Sequence, residues 1–350
     1  MSVTLRLLRE ADADAVVDGC GDFLTQRYLT FLPQPYTRAD ALEFIARNGN
    51  DRAIADGDTD ELLGVVGWTP GRDGVAEVGY WVRPAARGRR AATTALELLG
   101  AELFRTEFQR LYLRTAPTNT ASQRVAIAAG FAREGIARGA ARLRDGTRDD
   151  LVVWARLAGD PPGPSPRALP DLPGGELTDG VVAIRPLLAE DADVTYELRI
   201  LPEVSGRSVV ATPPNLAGIA RQCAESQSKW LAGQRAEMTI WRVSDGAYLG
   251  EIAVYYAEPA LHEAMIGYSL SQKARGHGFA ARAARLVTDW GFEIGMARMI
   301  AGTAVDNVAS QRVLEAAGYA REALQLRRLP GPDGSRIDNI AFAKVRPSAT

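Results

Sequence analysis

Residues 307–320 of the chain read Asn-Val-Ala-Ser-Gln-Arg-Val-Leu-Glu-Ala-Ala-Gly-Tyr-Ala, and residues 119–132 read Asn-Thr-Ala-Ser-Gln-Arg-Val-Ala-Ile-Ala-Ala-Gly-Phe-Ala. These stretches lie in two longer segments, 79–134 and 267–322, which align without a gap at a constant offset of 188 residues. About two dozen of the roughly 56 aligned positions are identical, well above what composition alone would give. Because 350 residues are long for one compact domain, the repeat indicates that a whole domain was duplicated.

The repeated stretch carries the signals of a short helix. In the C-terminal copy Asp306 or Asn307 is a good N-cap, because its side chain can accept a hydrogen bond from an amide of the first turn. Leu314 and Ala317 have the spacing of a buried helical face. Gly318 follows as a favoured stop, since glycine readily adopts the left-handed conformation that ends a helix.

Seven further stretches of the C-terminal copy, rich in apolar and β-branched residues, predict strands. They are 181–187, 237–243, 247–257, 264–270, 298–303, 319–327 and 336–345. A second helical pattern covers residues 277–294. The order of these elements predicts an α/β domain with a mixed, mostly antiparallel sheet of six to seven strands flanked by helices, and the N-terminal copy should share it.

Residues 158–180, between the two copies, hold six prolines and several glycines. This composition predicts an extended linker that is partly polyproline-like and semi-rigid. The expected organisation is an N-terminal domain at 1–158, a linker at 159–180 and a C-terminal domain at 181–346.

Composition and charge argue against several classes of protein. A net charge of −2 and a pI near 5.9 provide no general attraction for nucleic acid. No apolar run reaches the roughly 18 to 20 residues of a membrane span, and charges interrupt the N-terminus where a signal peptide needs its apolar core. Two cysteines, one in each half, predict free thiols. We expect a cytoplasmic protein without a membrane segment, a nucleic-acid partner or a metal.

Residues 271–280, Ser-Gln-Lys-Ala-Arg-Gly-His-Gly-Phe-Ala, join a predicted strand to a predicted helix. Small residues allow backbone amides to approach an anion closely, and the start of the helix adds a partial positive charge. The junction therefore predicts a pyrophosphate cradle. Taken alone, a tight turn with a surface arginine would explain it equally well.

The order Arg275-Gly-His-Gly-Phe-Ala280, then Asn307-x-x-Ser310, then Gly318-Tyr319 resembles the two signature segments of the GNAT (Gcn5-related) N-acetyltransferase superfamily. It looks most like the branch of ribosomal-protein-alanine and related amino-group acetyltransferases. The resemblance covers nearly all of the chain outside the linker, twice. It implies two tandem GNAT folds and acetyl-CoA as co-substrate, with no metal.

The resemblance also implies roles for individual residues. The loop under the CoA pyrophosphate would be formed around Arg275, Gly278 and Ala280, with His277 as a neighbour of the phosphates. The end of the preceding strand would pair with the pantetheine arm, which Asn307 would help to hold. The implied cofactor-binding residues are Ser269, Leu270, Arg275, Gly276, His277, Gly278, Phe279, Ala280 and Asn307.

Ser310 is the candidate general acid, close to the thioester sulfur. Many members of the superfamily use a tyrosine seven residues after the asparagine, but Leu314 stands there in this chain. A hydroxyl that closes the first helical turn would explain Ser310 equally well.

Glu263 is the candidate general base. Relatives often place a carboxylate two residues before the strand glycine, where the N-terminal copy has Glu77 and the C-terminal copy has Met265. Glu263 shares the strand face of Met265 because side chains alternate along a strand. Glu251, His262 and deprotonation through water remain open as alternatives.

The N-terminal copy has Arg90 in place of the second loop glycine. A long side chain there would obstruct the phosphates unless its guanidinium pairs with them, so the N-terminal cofactor site is expected to be degenerate. The C-terminal copy is expected to acetylate a primary amine, either on a small molecule or at a protein N-terminus, in a pocket built from 199–230 and 329–335. A non-catalytic acyl-CoA sensor or scaffold, and a chain with two active halves, are alternatives. A homodimer or a pseudo-dimer of the two halves is left open.

Overall fold

Alternating apolar residues in the strands of each copy build one mixed sheet per unit. The structure, a computed structural model, describes residues 2–47, 49–207, 214–331 and 334–347. The chain divides into two units, residues 1–166 and 167–350. Each unit has its own sheet and its own helices, so each is described separately.

The first unit has a seven-stranded sheet in the order β1-β2-β3-β4-β5-β7-β6. Its strands are β1 (Val3–Arg6), β2 (Asp51–Asp56), β3 (Leu62–Pro70), β4 (Val75–Val82), β5 (Arg110–Thr115), β6 (Ala132–Arg142) and β7 (Arg148–Leu157). Its helices are α1 (Ala13–Gly21), α2 (Phe23–Tyr28), α3 (Arg38–Ala46), α4 (Ala91–Leu103) and α5 (Thr120–Ala128). All neighbouring strands are antiparallel except β4 and β5.

The second unit has an eight-stranded sheet in the order β14-β15-β13-β12-β11-β10-β9-β8. Its strands are β8 (Leu177–Thr178), β9 (Val182–Pro186), β10 (Arg235–Arg242), β11 (Tyr248–Glu258), β12 (Glu263–Leu270), β13 (Arg298–Ala304), β14 (Ala320–Pro330) and β15 (Arg336–Val345). Its helices are α6 (Ala192–Arg199), α7 (Pro202–Ser205), α8 (Leu216–Leu231), α9 (Phe279–Glu293) and α10 (Val308–Ala316).

The predicted fold class, two tandem α/β units with largely antiparallel sheets, is confirmed. The second sheet has one strand more than predicted, because β8 forms within the predicted linker and pairs with β9. The helix predicted from the repeated stretch is α10. It is capped by Asn307 and followed by Gly318, whose φ of +87° is left-handed.

The predicted linker is divided between the two units. Ser165 donates its backbone N–H to the carbonyl of Ile127 in the first unit at 2.9 Å. In the second unit Leu169 is buried, and the carbonyl of Pro170 accepts a hydrogen bond from the indole of Trp230 at 3.0 Å. The sequence did not indicate that Leu169 is buried, because a single leucine in a proline-rich segment forms no periodic apolar pattern.

The core of the second unit lies between α9 and one face of its sheet. Ala283, Val287 and Trp290, one helical turn apart, are buried against residues such as Met238 and Ile266. Because strand side chains alternate between faces, the odd-numbered residues of β12 point to the opposite side of the sheet.

The parallel strands β12 and β13 separate after a short pairing. They pair over Glu263–Met265 and Arg298–Ile300, although β12 continues to Leu270. In the described chain the edge of β12 that faces β13 therefore has no strand partner from residue 266 onward. The first unit repeats this gap, since β4 pairs with β5 at residues 75–77 alone and continues to Val82. We name this feature the strand gap of each unit.

No helix in the described ranges is both long and apolar enough to cross a membrane. Cys20 and Cys223 are free, as predicted, and both are buried.

Candidate functional site

The loop after β12 has the conformation that an anion cradle requires. Gly276 and Gly278 have φ values of +79° and +76°, in the left-handed region that glycine adopts without strain. Residues 275–278 are exposed, whereas Phe279 and Ala280, in the first turn of α9, are buried. The loop therefore opens to solvent at the N-terminus of a 15-residue helix.

This loop fits a diphosphate group. A Cβ built at Gly276 or Gly278 would meet no atom of the described chain within 4 Å, so the space beside the loop backbone is open. Gly278 is the N-cap of α9 and supplies no side-chain cap, which leaves the first amides of the helix available to a ligand. His277 stacks on Phe279 with ring centroids 5.5 Å apart, which holds the imidazole beside the loop.

The loop arginine differs between the two units. Arg275 folds back, and its Nη2 donates to the carbonyl of Leu270, the last residue of β12, at 3.1 Å. Its counterpart Arg87 pairs with the carboxylate of Asp22 and also donates to Thr25 at 3.2 Å. Arg275 thus keeps its charge unpaired within the described residues, whereas a carboxylate neutralises Arg87.

Arg90 occupies the position of Gly278 in the first unit, with φ +63° and ψ 11° against φ +76° and ψ 3°. The loop backbone has therefore kept its shape without the glycine, although the left-handed conformation costs a non-glycine residue about 1 kcal/mol. The Arg90 side chain is exposed and forms no hydrogen bond or ion pair with the described residues. It is free to cover the mouth of the loop.

Asn307 and Ser310 are joined to β12 by a tyrosine that sequence reasoning missed. The Asn307 side chain accepts a hydrogen bond from the Ser310 amide at 3.3 Å. The Tyr268 hydroxyl lies 2.9 Å from the Ser310 Oγ and donates to the Ser310 carbonyl at 3.2 Å. This bond connects β12 with the start of α10, and burial raises the pKa of Tyr268 to about 12, so the phenol stays protonated. We name Tyr268 and Ser310 the hydroxyl pair.

The first unit contains the same pair, since the Tyr80 hydroxyl lies 2.7 Å from the Ser122 Oγ. Burial raises the pKa of Tyr80 well above its usual range. The signal was present in the sequence, because Gly79-Tyr80 and Gly267-Tyr268 open the two aligned segments. A search for an acid after the asparagine could not find a tyrosine that lies about 40 residues before it.

Glu263 does not lie with Ser310. It stands at the beginning of β12, about 16 Å along the strand from Tyr268 and on the opposite face. Its carboxylate accepts a hydrogen bond from Arg298 at 2.8 Å, and Arg298 also pairs with Glu322. Glu263 as general base stays a prediction, and in this structure its carboxylate is paired with Arg298.

The alternative base Glu251 is held by three hydrogen bonds from Arg199, at 2.9, 3.2 and 2.8 Å. Arg199 also donates to Gln222 at 2.8 Å, and Gln222 donates to Glu237 at 2.6 Å. The other alternative, His262, is exposed and has a left-handed backbone with φ +50°. Glu251 and Glu237 therefore belong to one partly buried polar network with Arg199 of α6 and Gln222 of α8.

Breaking that network should destabilise the second unit. Arg199→Met leaves the Glu251 carboxylate largely buried without its counter-ion, and we expect a loss of about 3 kcal/mol in the free energy of unfolding. Differential scanning calorimetry should show it as a lower melting temperature. The control Arg47→Met removes the partner of the exposed Glu43 and should cost less than about 1 kcal/mol. Equal stability of the two variants would contradict the prediction.

The predicted acceptor pocket is partly outside the described residues, because 208–213 and 332–333 belong to its two segments. The flanking residues 199–207 and 214–230 include α7 and α8. No cluster of three His, Cys, Asp or Glu side chains suited to a metal occurs in the part of the chain that the structure describes.

The strand gap and the asparagine-capped helix occur in both units of this α/β protein, and the loop with two left-handed glycines precedes α9 in the second. The acetyltransferase (GNAT) domain profile matches residues 2–132 and 182–320, and the chain belongs to this family. The two matches correspond to the two units and leave the proline-rich segment unmatched.

One curated relative is the Probable N-acetyltransferase YjcK of Bacillus subtilis (strain 168), which is 32% identical over 109 residues. The alignment covers 31% of this chain and 60% of the relative, so the chain spans about three fifths of that protein.

Similar solved structures include the ribosomal-protein-S5-alanine acetyltransferase of Vibrio fischeri, with a TM-score of 0.45 and 17% identity. That match covers 50% of this chain and 98% of the other. RimJ of Mycobacterium smegmatis in complex with CoA-disulfide has a TM-score of 0.44 and 24% identity, and the match covers 49% and 86%.

Proposed function

We propose that the C-terminal unit transfers the acetyl group of acetyl-CoA to a primary amine by direct attack in a ternary complex. The acceptor amine belongs to a small molecule or to the N-terminus of a protein or peptide. The observation that carries the proposal is the exposed loop 275–278, with two left-handed glycines at the start of α9. In the first unit, Arg90 and the pairing of Arg87 with Asp22 would weaken binding of a diphosphate by the equivalent loop.

Binding would use the backbone of three elements. The amides of the loop and of the first turn of α9 bind the diphosphate, because a helix start favours anions. Arg275 would leave the Leu270 carbonyl and add a charged contact. The free edge of β12, from residue 266 to Leu270, pairs with the amides of the pantetheine arm within the strand gap.

Transfer would use the hydroxyl pair. When bound, acetyl-CoA supplies an acyl group activated as a thioester. Backbone amides near Gly267 at the strand gap stabilise the charge that develops on the carbonyl oxygen. Ser310 gives its proton to the departing sulfur, and the Tyr268 hydroxyl turns from the Ser310 carbonyl to donate to the Ser310 Oγ, which then takes up, through water, the proton that the amine loses. Water in the pocket takes the proton of the amine, since Glu263 and Glu251 are both paired with arginines.

The experiment is calorimetry with acetyl-CoA, followed by an assay of free CoA thiol released over a panel of primary amines and short peptides. One binding site per chain with thiol release in the presence of an amine supports the proposal. The pairing of both candidate carboxylate bases with arginines favours one alternative, a non-catalytic acyl-CoA sensor or scaffold. Tight binding without turnover across the whole panel would establish that alternative.

Tyr268→Phe tests the hydroxyl pair. We expect kcat to fall roughly tenfold while the KM for acetyl-CoA changes little, because the lost hydrogen bond matters most when Ser310 gives up its proton. The double variant Tyr268→Phe/Ser310→Ala should lose no more than Ser310→Ala alone, as expected of two groups that act through one step. The matched control Tyr80→Phe should keep wild-type kcat. A purely additive double variant would contradict the prediction.

A further inference from the structure

The start of α2 is joined to the loop 87–90 of the first unit. Arg87 pairs with the carboxylate of Asp22, the N-cap of α2, and donates to the Thr25 hydroxyl at 3.2 Å. The same carboxylate accepts a hydrogen bond from the Thr25 amide at 3.0 Å. The loop and the helix therefore adjoin on one surface, and the carboxylate at their junction already has its partners.

Three arginines on this surface have no carboxylate partner. Arg89 and Arg90 follow Arg87 in the loop, and Arg27 belongs to α2. All three are exposed, and none forms a hydrogen bond or an ion pair with the described residues. The guanidinium of Arg27 lies over the Tyr28 ring, 5.5 Å from its centroid. The surface therefore carries three positive charges that the described chain does not neutralise.

Two apolar side chains of α2 are exposed beside these charges. Phe23 is 75% exposed and Leu24 is 45% exposed. Phe23 and Arg27 are four residues apart, so they project from the same side of the helix. Phe23 directly follows Asp22, the residue that contacts the loop, so the apolar and basic side chains occupy neighbouring positions. We name the following residues the arginine–phenylalanine patch: Phe23, Leu24, Arg27, Arg89 and Arg90.

The second unit lacks this patch. At the offset of 188 residues, its two loop positions hold His277 and Gly278. Counted from the first residues of α2 and α7, its first, second and fifth helix positions hold Pro202, Glu203 and Gly206. These replacements remove all three arginines and the phenylalanine, and they add a carboxylate. The patch therefore belongs to the first unit, whose loop is also the one without the second glycine.

The chemistry of the patch fits an anionic peptide. Exposed guanidinium groups bind carboxylates through charge-assisted hydrogen bonds, and an exposed aromatic ring offers an apolar contact. Nucleic acid fits less well, because roughly six to ten phosphate contacts are usual, whereas the patch has three arginines on a chain of net charge −2. A membrane surface fits less well, because many interfacial helices have about 20 to 30 residues and α2 has six.

We propose that the arginine–phenylalanine patch of the N-terminal unit binds an acidic segment of a partner protein, with an apolar side chain among its carboxylates. The carboxylates pair with Arg27, Arg89 and Arg90, and the apolar side chain packs on Phe23 and Leu24. Arg87 keeps its bond to the helix and holds the two parts of the patch together. This interaction goes beyond the acetyl transfer proposed for the second unit and does not depend on it.

The test is fluorescence anisotropy of a fluorescein-labelled random copolymer of glutamate and tyrosine, titrated with the full-length protein in the absence of acetyl-CoA. We expect saturable binding at low ionic strength. The Kd should rise at least about tenfold between about 50 and 300 mM salt, because salt screens exposed charges. Polyglutamate of the same length, which has no apolar side chain, should bind at least about threefold more weakly.

Three variants with exposed substitutions locate the binding surface. Arg27→Gln/Arg89→Gln should raise the Kd for the copolymer at least about tenfold, because two charge-assisted contacts are lost. Phe23→Ser should raise it about fivefold without a change in charge. The matched control Arg105→Gln removes an exposed arginine beyond the other end of α4 and should bind like the wild-type protein.

Several results would overturn the proposal. These are the absence of saturable binding of the copolymer, an unchanged Kd in Arg27→Gln/Arg89→Gln, and equal weakening by the control Arg105→Gln. Tighter binding of phosphatidylserine vesicles or of poly(U) RNA than of the copolymer, lost in Arg27→Gln/Arg89→Gln, would assign the patch to a different class of partner. Because acetyl-CoA is absent throughout, failure of acetyl transfer in the second unit leaves this result unaffected.

Discussion

Gly278→Arg is expected to abolish binding of acetyl-CoA to the C-terminal unit, with the Kd rising at least about 100-fold. Gly278 is the residue that precedes α9 and has a left-handed backbone. An arginine side chain there would project over the amides that bind the diphosphate. The first unit accommodates Arg90 at the same position with nearly the same backbone angles, so the variant should fold. Calorimetry should find one site per chain in the wild-type protein and none in the variant.

The reverse substitution Arg90→Gly is the control. It restores the second glycine of the N-terminal loop but leaves Arg87 paired with Asp22, so we expect the stoichiometry to stay at one. Equal affinity of Gly278→Arg and wild type would place the acetyl-CoA site elsewhere. Two equal sites in the wild-type protein would instead support a chain with two active halves.

Ser310→Ala is expected to lower kcat about 100-fold, with the KM for acetyl-CoA changed by less than about threefold. General acid catalysis contributes roughly 10²- to 10⁴-fold, and a group that acts only as the thiolate departs leaves ground-state binding intact. Steady-state assays of thiol release, with an acceptor found in the amine panel, would measure both constants. An equal loss in kcat and in affinity would show that Ser310 serves binding.

The duplication supplies a matched control for this variant. Ser122→Ala removes a hydroxyl at the equivalent position of α5, where its partner is Tyr80, the counterpart of Tyr268. If the pair only fastens the second helix to the sheet, the two variants should behave alike in stability and in activity. Our prediction requires similar melting temperatures but a loss of kcat in Ser310→Ala alone.

The strands and the glycine loop could be predicted from the sequence because each pattern could be compared at equivalent positions of the two copies. Seven stretches with period-two or continuous apolar patterns became β9 to β15, with boundaries within a few residues. The helix after the loop and its partner were marked by Gly278, Asn307 and Gly318, residues whose backbone or capping roles are local. Local rules suffice wherever the determinant lies within one helical turn or one strand.

The site chemistry could be predicted less well, because it depends on contacts across the sheet. The hydroxyl pair joins residues 42 positions apart. The arginine partners of Glu263 and Glu251 come from β13 and α6. These contacts occur at no fixed spacing along the sequence. A motif can therefore indicate Glu263 as a candidate base, but it cannot indicate that Arg298 pairs with it.

The strand gap has a mechanical consequence. In each unit only three residue pairs join the two parts of the sheet, which meet at β4 and β5 in the first unit and at β12 and β13 in the second. We therefore expect these two parts to move relative to each other more easily than neighbouring strands within either part. A pantetheine arm bound along the free strand edge would fill the gap and restrict this movement while it stays bound. In a half that binds the arm, the sheet would be stiffer with substrate than without it, and in a half that binds no arm its two parts would stay free to move.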